Sequence, residues 1–397
     1  MNKKKKIIII SAFCITVIAV VIITVCIYNH KDTSLSAVGN IYESNAAGLV
    51  ETENLIYYVS DIQMGYINVY DKNTKATSVL CNNPECKHNT PSCVASVFEP
   101  RMCINTLCTY NNNLYYVDYD ISAGNRVALY RVSMDGSSKD NILTVYEFPD
   151  GEEISLQDIN ISSNGENIYM YTGECYDGED PLKKRLIVYQ ISLKDESIKK
   201  LTEDDKYGGY IDVCGFDSDN IYYSIIYFSE DLKNTYGSVY RYNIKTEEKE
   251  ILVDELKSVN TLCLSGKYIY YNVFQGNVYK YDLNTGKTEE FISFENPESM
   301  AGRLYADNTY IYYYNYNADY ADETETYLYV YDKNGELKGS VKALPTDENI
   351  IKAYVINDRL IFGTSGITDD TKMKYSCIDK NDITDGEIKW RDLLPEN

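Results

Sequence analysis

The chain has 397 residues, 38 of them Lys or Arg and 60 Asp or Glu, for a net charge of −22. That excess repels phosphate backbones and removes nucleic-acid binding from consideration. Two His leave little for imidazole catalysis or multi-His metal centres, whereas 41 Tyr, about one residue in ten, is an unusual wealth.

The first predicted element is apolar. After the basic MNKKKK, residues 7–28 contain no charged residue, no Pro and no Gly. At 1.5 Å per residue they make about 33 Å of helix, enough to cross a hydrocarbon core of ~30 Å. The run is longer than an ordinary signal-peptide core and no A-x-A site follows it, so it reads as an uncleaved signal anchor. Cys26 raises a lipoprotein signal as a rival, but Val25 stands where that motif takes Gly, Ala or Ser. Four lysines (3–6) precede the span, while His30, Lys31 and Asp32 nearly balance behind it. The positive-inside rule therefore puts residues 1–6 in the cytoplasm and the rest outside. Beyond Asp32 there remain 33 basic and 59 acidic residues, a net of −26, which anionic lipid repels. Residues 29–46 read as a tether and 47–397 as one extracellular domain.

That domain is repetitive. A polar turn, an apolar-Tyr-Tyr strand, a variable loop, a Y-x-h-x strand (h, apolar), a D/N-x-x-T/G turn and a last strand recur seven times. The fifth copy, GKYIYYNVF with GNVYKYDLNTGKTEEFI, is the tightest. Anchored on the apolar residue before the pair, the copies begin at Ile56, Leu114, Ile168, Ile221, Ile269, Ile311 and Leu360, a mean spacing near 51. Apolar–polar alternation fits half-buried strands, and the Asn, Asp and Gly turns fit tight hairpins. A further short apolar stretch before most copies makes four strands per unit, and no amphipathic helix of ten or more residues is found. Seven such units predict an all-β fold, a seven-bladed β-propeller. Six blades result if the weak first or last unit does not form one.

Between the first two copies lies a Cys-rich insertion (81–108) that holds five of the nine Cys outside the apolar run: Cys81, Cys86, Cys93, Cys103 and Cys108. An oxidising exterior favours disulfides among them, with His88 solvated. The alternatives are a zinc site, because Cys81, Cys86, His88 and Cys93 supply three sulfurs and an imidazole, and mostly free, partly buried thiols. No other cofactor is predicted. Cys214 and Cys263, in apolar stretches, read as small core residues.

The YY strands, the Y-x-Y/V-D/N-x-x-T/G hairpins and the stretch LCNNPECKHNTPSC resemble a group of Tyr-rich propellers over about residues 47–392. These occur as lipoproteins or anchored surface proteins of Firmicutes, of domain-of-unknown-function type, and are similar to TolB-like and low-density-lipoprotein-receptor-type propellers. The resemblance implies the fold and a cell-envelope setting.

Most Tyr fall at fixed strand positions and read as packing between blades. Tyr119, Tyr176, Tyr207, Tyr227, Tyr236, Tyr316 and Tyr320 escape the pattern. They lie in or beside the loops that gather at one end of a propeller, which makes them the candidate ligand-binding residues.

Catalysis finds little support. There is no G-x-S-x-G elbow, sialidase-type Asp box, P-loop or calcium loop. The acidic runs Asp150, Glu152, Glu153; Glu203, Asp204, Asp205; and Asp319, Asp322, Glu323, Glu325 read as solvated loop faces. The sequence thus points to a non-catalytic binding module for a glycan, peptide or partner protein. The alternative is a glycosidase- or lyase-like carbohydrate-active enzyme using two loop carboxylates.

Overall fold

Seven antiparallel sheets, each made of strands consecutive in the chain, compose the domain. The computed structural model describes residues 48–61, 65–120, 126–149, 154–176, 182–229, 231–273, 276–294, 302–315, 327–342, 348–356, 359–366, 372–384 and 388–394. The predicted anchor and tether lie outside them. No helix among the described residues is long and apolar enough to cross a membrane.

Blade 1 comprises β1 (Leu49–Glu51), β2 (Leu55–Val59), β3 (Gly65–Asp71) and β4 (Ala76–Val79), with β5 (Ser96–Val97) as a fifth piece. The insertion also carries α1 (Pro100–Thr106). Blade 2 follows as β6 (Cys108–Tyr110), β7 (Asn113–Tyr119), β8 (Arg126–Ser133) and β9 (Lys139–Glu147). Blade 3 is β10 (Ile154–Ser163), β11 (Asn167–Tyr176), β12 (Lys183–Ser192) and β13 (Ser197–Tyr207). Blade 4 is β14 (Tyr210–Phe216), β15 (Asn220–Phe228), β16 (Thr235–Asn243) and β17 (Lys249–Lys257). Blade 5 is β18 (Val259–Ser265), β19 (Tyr268–Val273), β20 (Val278–Asp282) and β21 (Lys287–Ile292). Blade 6 is β22 (Gly302–Ala306), β23 (Tyr310–Asn315), β24 (Tyr327–Asp332) and β25 (Leu337–Lys342). Blade 7 is β26 (Glu348–Ile356), β27 (Arg359–Gly366), β28 (Met373–Asp379) and β29 (Arg391–Asp392), with α2 (Lys380–Thr384) before the last strand. The fold is therefore an all-β, seven-bladed propeller with four-stranded blades.

The first strands of neighbouring blades touch, for example β18 with β22 and β10 with β14, so they form the innermost layer. The apolar-Tyr-Tyr signature follows from this arrangement. Successive side chains on a strand point to opposite faces, and each blade has a neighbour on both. In blade 6, Ile311 and Tyr313 pack with Tyr270, Val278 and Ile292 of blade 5, whereas Tyr312 packs with Leu360 and Phe362 of blade 7. Blades 2 and 3 repeat this. Leu114 and Tyr116 face blade 1 and Tyr115 faces blade 3; Ile168 and Met170 face blade 2 and Tyr169 faces blade 4.

The turns are fixed by side-chain oxygens that mimic backbone acceptors. Asp217 accepts the Asp219 and Asn220 N–H groups and the Tyr222 hydroxyl (2.6 Å), and Asp307 accepts Thr309, Tyr310 and the Tyr312 hydroxyl (2.7 Å) in the same way. At the second hairpin Asp71, Asn243, Asp282 and Asp332 each take two N–H groups.

Among the described residues blade 7 meets blade 1 without exchanging a strand. The Met373 N–H donates to Ser60 O (2.8 Å), the Tyr375 hydroxyl donates to Val59 O (3.2 Å), and Tyr58 meets Tyr375 edge-on. Glu51 of β1 pairs with Arg359 of β27 and with Lys72 (2.7 Å). Burial alone would push the Glu51 carboxyl up, but Arg359 and Lys72 together hold it below its ordinary value.

Candidate functional site

Two regions gather the residues singled out by sequence. The first is the insertion, and its place in blade 1 is specific. Strand β4 pairs with Asn68–Asp71 of β3, while β5 pairs with Gly65 and Tyr66 of the same strand. Between them, Leu80 N–H donates to Ile67 O (2.9 Å) and Ile67 N–H donates to Ala95 O (2.9 Å). Thus β4 and β5 are two halves of one outer strand, and residues 81–94 are an excursion from its middle. Cys81 leaves the strand just after Leu80, and Cys93 returns to it just before Ala95.

The excursion has no strand or helix of its own. Asn83 starts it with a turn, accepting the Glu85 N–H on its side chain (3.0 Å) and the Cys86 N–H on its carbonyl (3.1 Å). His88 takes a left-handed backbone (φ 52°), and the Cys93 N–H donates to Thr90 O. From 82 to 92 every side chain is exposed except those of Cys86 and His88, which turn inward. There they meet Cys81 and the buried Cys93. One sulfur or ring nitrogen from each of the four lies within 4.8 Å of the others, and His88 Nδ1 is 3.4 Å from Cys93 Sγ. The Cys81 end is held from outside by blade 2: Asn82 N–H donates to the Gly136 carbonyl (3.1 Å). Gly136 (φ 70°) sits so close that a Cβ there would lie 2.9 Å from the Cys81 nitrogen.

Past β5 the insertion turns inward. Asp118, buried in β7, accepts the Phe98 (2.7 Å), Glu99 (2.9 Å) and Tyr119 (2.8 Å) N–H groups, and so serves the start of α1, whose own N-cap makes no side-chain bond. Burial raises its pKa against those three donors. Lys139 donates to Ser96 O (2.6 Å) and lies over the Tyr130 ring; burial lowers its pKa. At the other end of α1, the Thr106 hydroxyl accepts Val117 N–H (2.9 Å). The helix contacts β2, β7 and β10, beside a β6 of only three residues.

Several sequence expectations are corrected here. No disulfide joins the nine cysteines among the described residues. Cys108 belongs to blade 2, so the insertion ends at Leu107. Cys214 and Cys263 are only partly buried on β14 and β18, whereas Cys93, Cys103, Cys108, Cys175 and Cys377 are buried.

The second region is the blade end that carries the loops between second and third strands and the links between blades. Tyr119, Tyr176, Tyr207, Tyr227 and Tyr236 all stand there, at strand ends and not within loops. Tyr316 and Tyr320 lie outside the described residues. Tyr119 is set apart on blade 2, against Phe98 and Phe148. The other four fall on blades 3 and 4. Tyr227 and Tyr236 face each other across the β15–β16 pair at 5.7 Å, with Lys206 Nζ 4.2 Å from the Tyr227 ring. Phe228 covers Gly208 (φ 59°), whose Cβ would lie 2.5 Å from the ring. Sequence reading missed three exposed apolar neighbours at this edge, Tyr210, Phe228 and Leu232 (41, 39 and 50% exposed). For Tyr210 and Phe228 the signal was an apolar residue at a strand end where alternation calls for a polar one; Leu232 is an apolar residue in the loop between β15 and β16. Beside them Tyr176, Lys183, Lys184, Arg185 and Asp205 line an open cleft of about 140 Å³.

The acidic run on β13 is neutralised by neighbours. Glu203 pairs with Lys200 (2.6 Å), Asp204 with Lys249 (2.7 Å) and Asp205 with Arg185 (3.8 Å). Residues 150–153 and 319–325, the other runs, lie outside the described residues.

No protein-family model matches the chain, and no curated protein does. Solved structures match in fold. Pyrococcus horikoshii acylaminoacyl peptidase superposes with a TM-score of 0.50 at 12% identity, over 89% of this chain and 52% of that one. The β-propeller domain of the Trilobed protease from Pyrococcus furiosus, described as having an open velcro topology, gives 0.48 at 8% identity over 90% and 98%. An oligogalacturonate lyase in complex with manganese gives 0.43 at 12% over 77% and 78%. The chain spans about half the length of the peptidase. These likenesses extend to the propeller alone.

Proposed function

We propose that the chain is a membrane-anchored, extracytoplasmic propeller that binds a glycan, peptide or partner protein without transforming it, through the aromatic edge of blades 3 and 4. The observation that carries this reading is the gathering of Tyr210, Tyr227, Phe228, Leu232 and Tyr236 at one edge of blade 4, beside the strand ends of blade 3 that carry Tyr176 and Tyr207. Most rings of the repeat are spent on packing between blades, whereas Tyr210, Phe228 and Leu232 present apolar surface to solvent beside the half-buried Tyr227 and Tyr236. Flat rings with polar tips suit the apolar face of a sugar, so a cell-envelope glycan is the first ligand to test. Lys200 holds the Glu203 carboxyl below its ordinary value, which favours binding over general acid–base work that wants a carboxyl with a raised pKa.

A glycan array probed with the full-length protein tests the reading. Binding to a restricted glycan set, lost in Tyr227→Ala and Phe228→Ala, supports it; no binding to any glycan sinks the sugar version and leaves a peptide or protein ligand. Anchoring through residues 7–28 predicts that the chain stays with membranes in alkaline carbonate, and that deleting those residues releases it.

A further inference from the structure

We propose that Cys81, Cys86, His88 and Cys93 form a closed tetrahedral site for a thiophilic divalent cation, zinc by its chemistry, which staples the interrupted outer strand of blade 1. Three observations converge on it. The donor set is three sulfurs and one imidazole, a combination suited to zinc and poorly suited to calcium or magnesium. The spacing is already close to a coordinated one. Zn–S of about 2.3 Å and Zn–N of about 2.0 Å at a tetrahedral angle put nitrogen and sulfur about 3.5 Å apart, against 3.4 Å between His88 Nδ1 and Cys93 Sγ. The remaining separations, none above 4.8 Å, need only a small contraction.

The third observation is topological. Cys81 and Cys93 stand at the two ends of the break in the strand, and Cys86 and His88 are the only inward-turned side chains of the exposed excursion between them. Of residues 82–92 only Cys86 packs against the apolar cluster of blade 1. An ion bound by all four closes this loop at its base and at its tip. With four protein ligands no position is left open for substrate, so the role is structural. The site stands apart from the aromatic edge, and neither proposal depends on the other.

The test uses the full-length protein purified under reducing conditions without chelator, then reconstituted with zinc or with cobalt(II). One zinc per chain is expected, along with intense tetrahedral cobalt absorption and a sulfur-to-cobalt charge-transfer band. Cys86→Ser and His88→Ala should each lose the stoichiometric ion, whereas Cys175→Ser, on blade 3, should keep it, as should His88→Cys. A second measurement does not depend on variants that fold. Zinc at roughly a hundred times its dissociation constant suppresses opening of a segment that binds it only when closed by about 100-fold. Chelation should therefore raise protease cleavage between 82 and 92 by that order while the blades stay intact. Wild-type protein that takes up no stoichiometric zinc, a weak octahedral cobalt spectrum, or a two-hydrogen mass deficit showing a disulfide within Cys81, Cys86 and Cys93 would each overturn the proposal.

Discussion

Blades 1 and 4 grow from the same repeat yet secure their outer strands differently. In blade 4, β17 runs for nine residues along β16, and Arg241 joins the two strands through Glu250. In blade 1 the ladder breaks at Ile67, and the second half of the strand returns only after a 14-residue excursion. What the ladder supplies in blade 4 has to come in blade 1 from elsewhere: the Asp118 carboxylate, the Lys139 ammonium and the Cys–His cluster. A continuous strand is self-supporting because each residue brings its own hydrogen bonds; an interrupted one depends on a few long-range groups.

Substitutions can widen or erase that contrast. The largest effect is expected from Tyr223→Ala in blade 4, whose fully buried ring stacks on Tyr240 at 4.9 Å. Loss of a buried aromatic costs about 3–5 kcal/mol, and urea denaturation should show it as global loss of stability. Asp118→Ala strips the acceptor from the Phe98 and Glu99 N–H groups. About 1–3 kcal/mol is at stake, and hydrogen exchange should place the loss between Phe98 and Thr106 while blade 4 keeps its protection. If blade 4 loosens equally, the insertion and the repeat unfold as one unit.

A third prediction concerns pH. Glu51 links blades 1 and 7, and its folded pKa lies below the usual 4.5. The unfolded chain therefore takes up the proton first on acidification. The stabilisation is fully present above about pH 4.5 and is lost as pH falls through the folded value. Glu51→Gln should flatten the acid limb of a pH–stability curve; an unchanged limb counts against this ion pair as a closure device. The smallest effect belongs to the aromatic edge. Leu232→Gly at an exposed, left-handed position (φ 58°) should shift stability by no more than about 0.5 kcal/mol.

Much of the fold was legible in the residues. Seven copies of one strand motif, five of them apolar-Tyr-Tyr and each followed by an Asp or Asn turn, specify seven blades because the two-residue strand period and the turn chemistry are both local. The same locality explains what was missed. That Leu80 and Ala95 bond the same Ile67 depends on pairing across the sheet, which no stretch of sequence records, so the Cys-rich segment read as a loop between blades when it lies within one. Cys108 looked like part of that cluster because spacing cannot tell a loop cysteine from the first residue of a short strand. The candidate tyrosines within the described residues stand where the repeat placed them, but only the fold sets Tyr227 and Tyr236 at one edge of blade 4 with Tyr210, Phe228 and Leu232.

The sequence by itself determined the secondary structure, the blade number and the role of most of the 41 Tyr, since alternation along a strand and side-chain-capped turns are short-range matters of chain geometry. The tertiary structure alone decided which partners those elements meet. It brought Cys81 back to Cys93, set Glu51 against Arg359 and Asp118 under α1, because these contacts join residues far apart in the chain and form only once neighbouring blades exclude water between them.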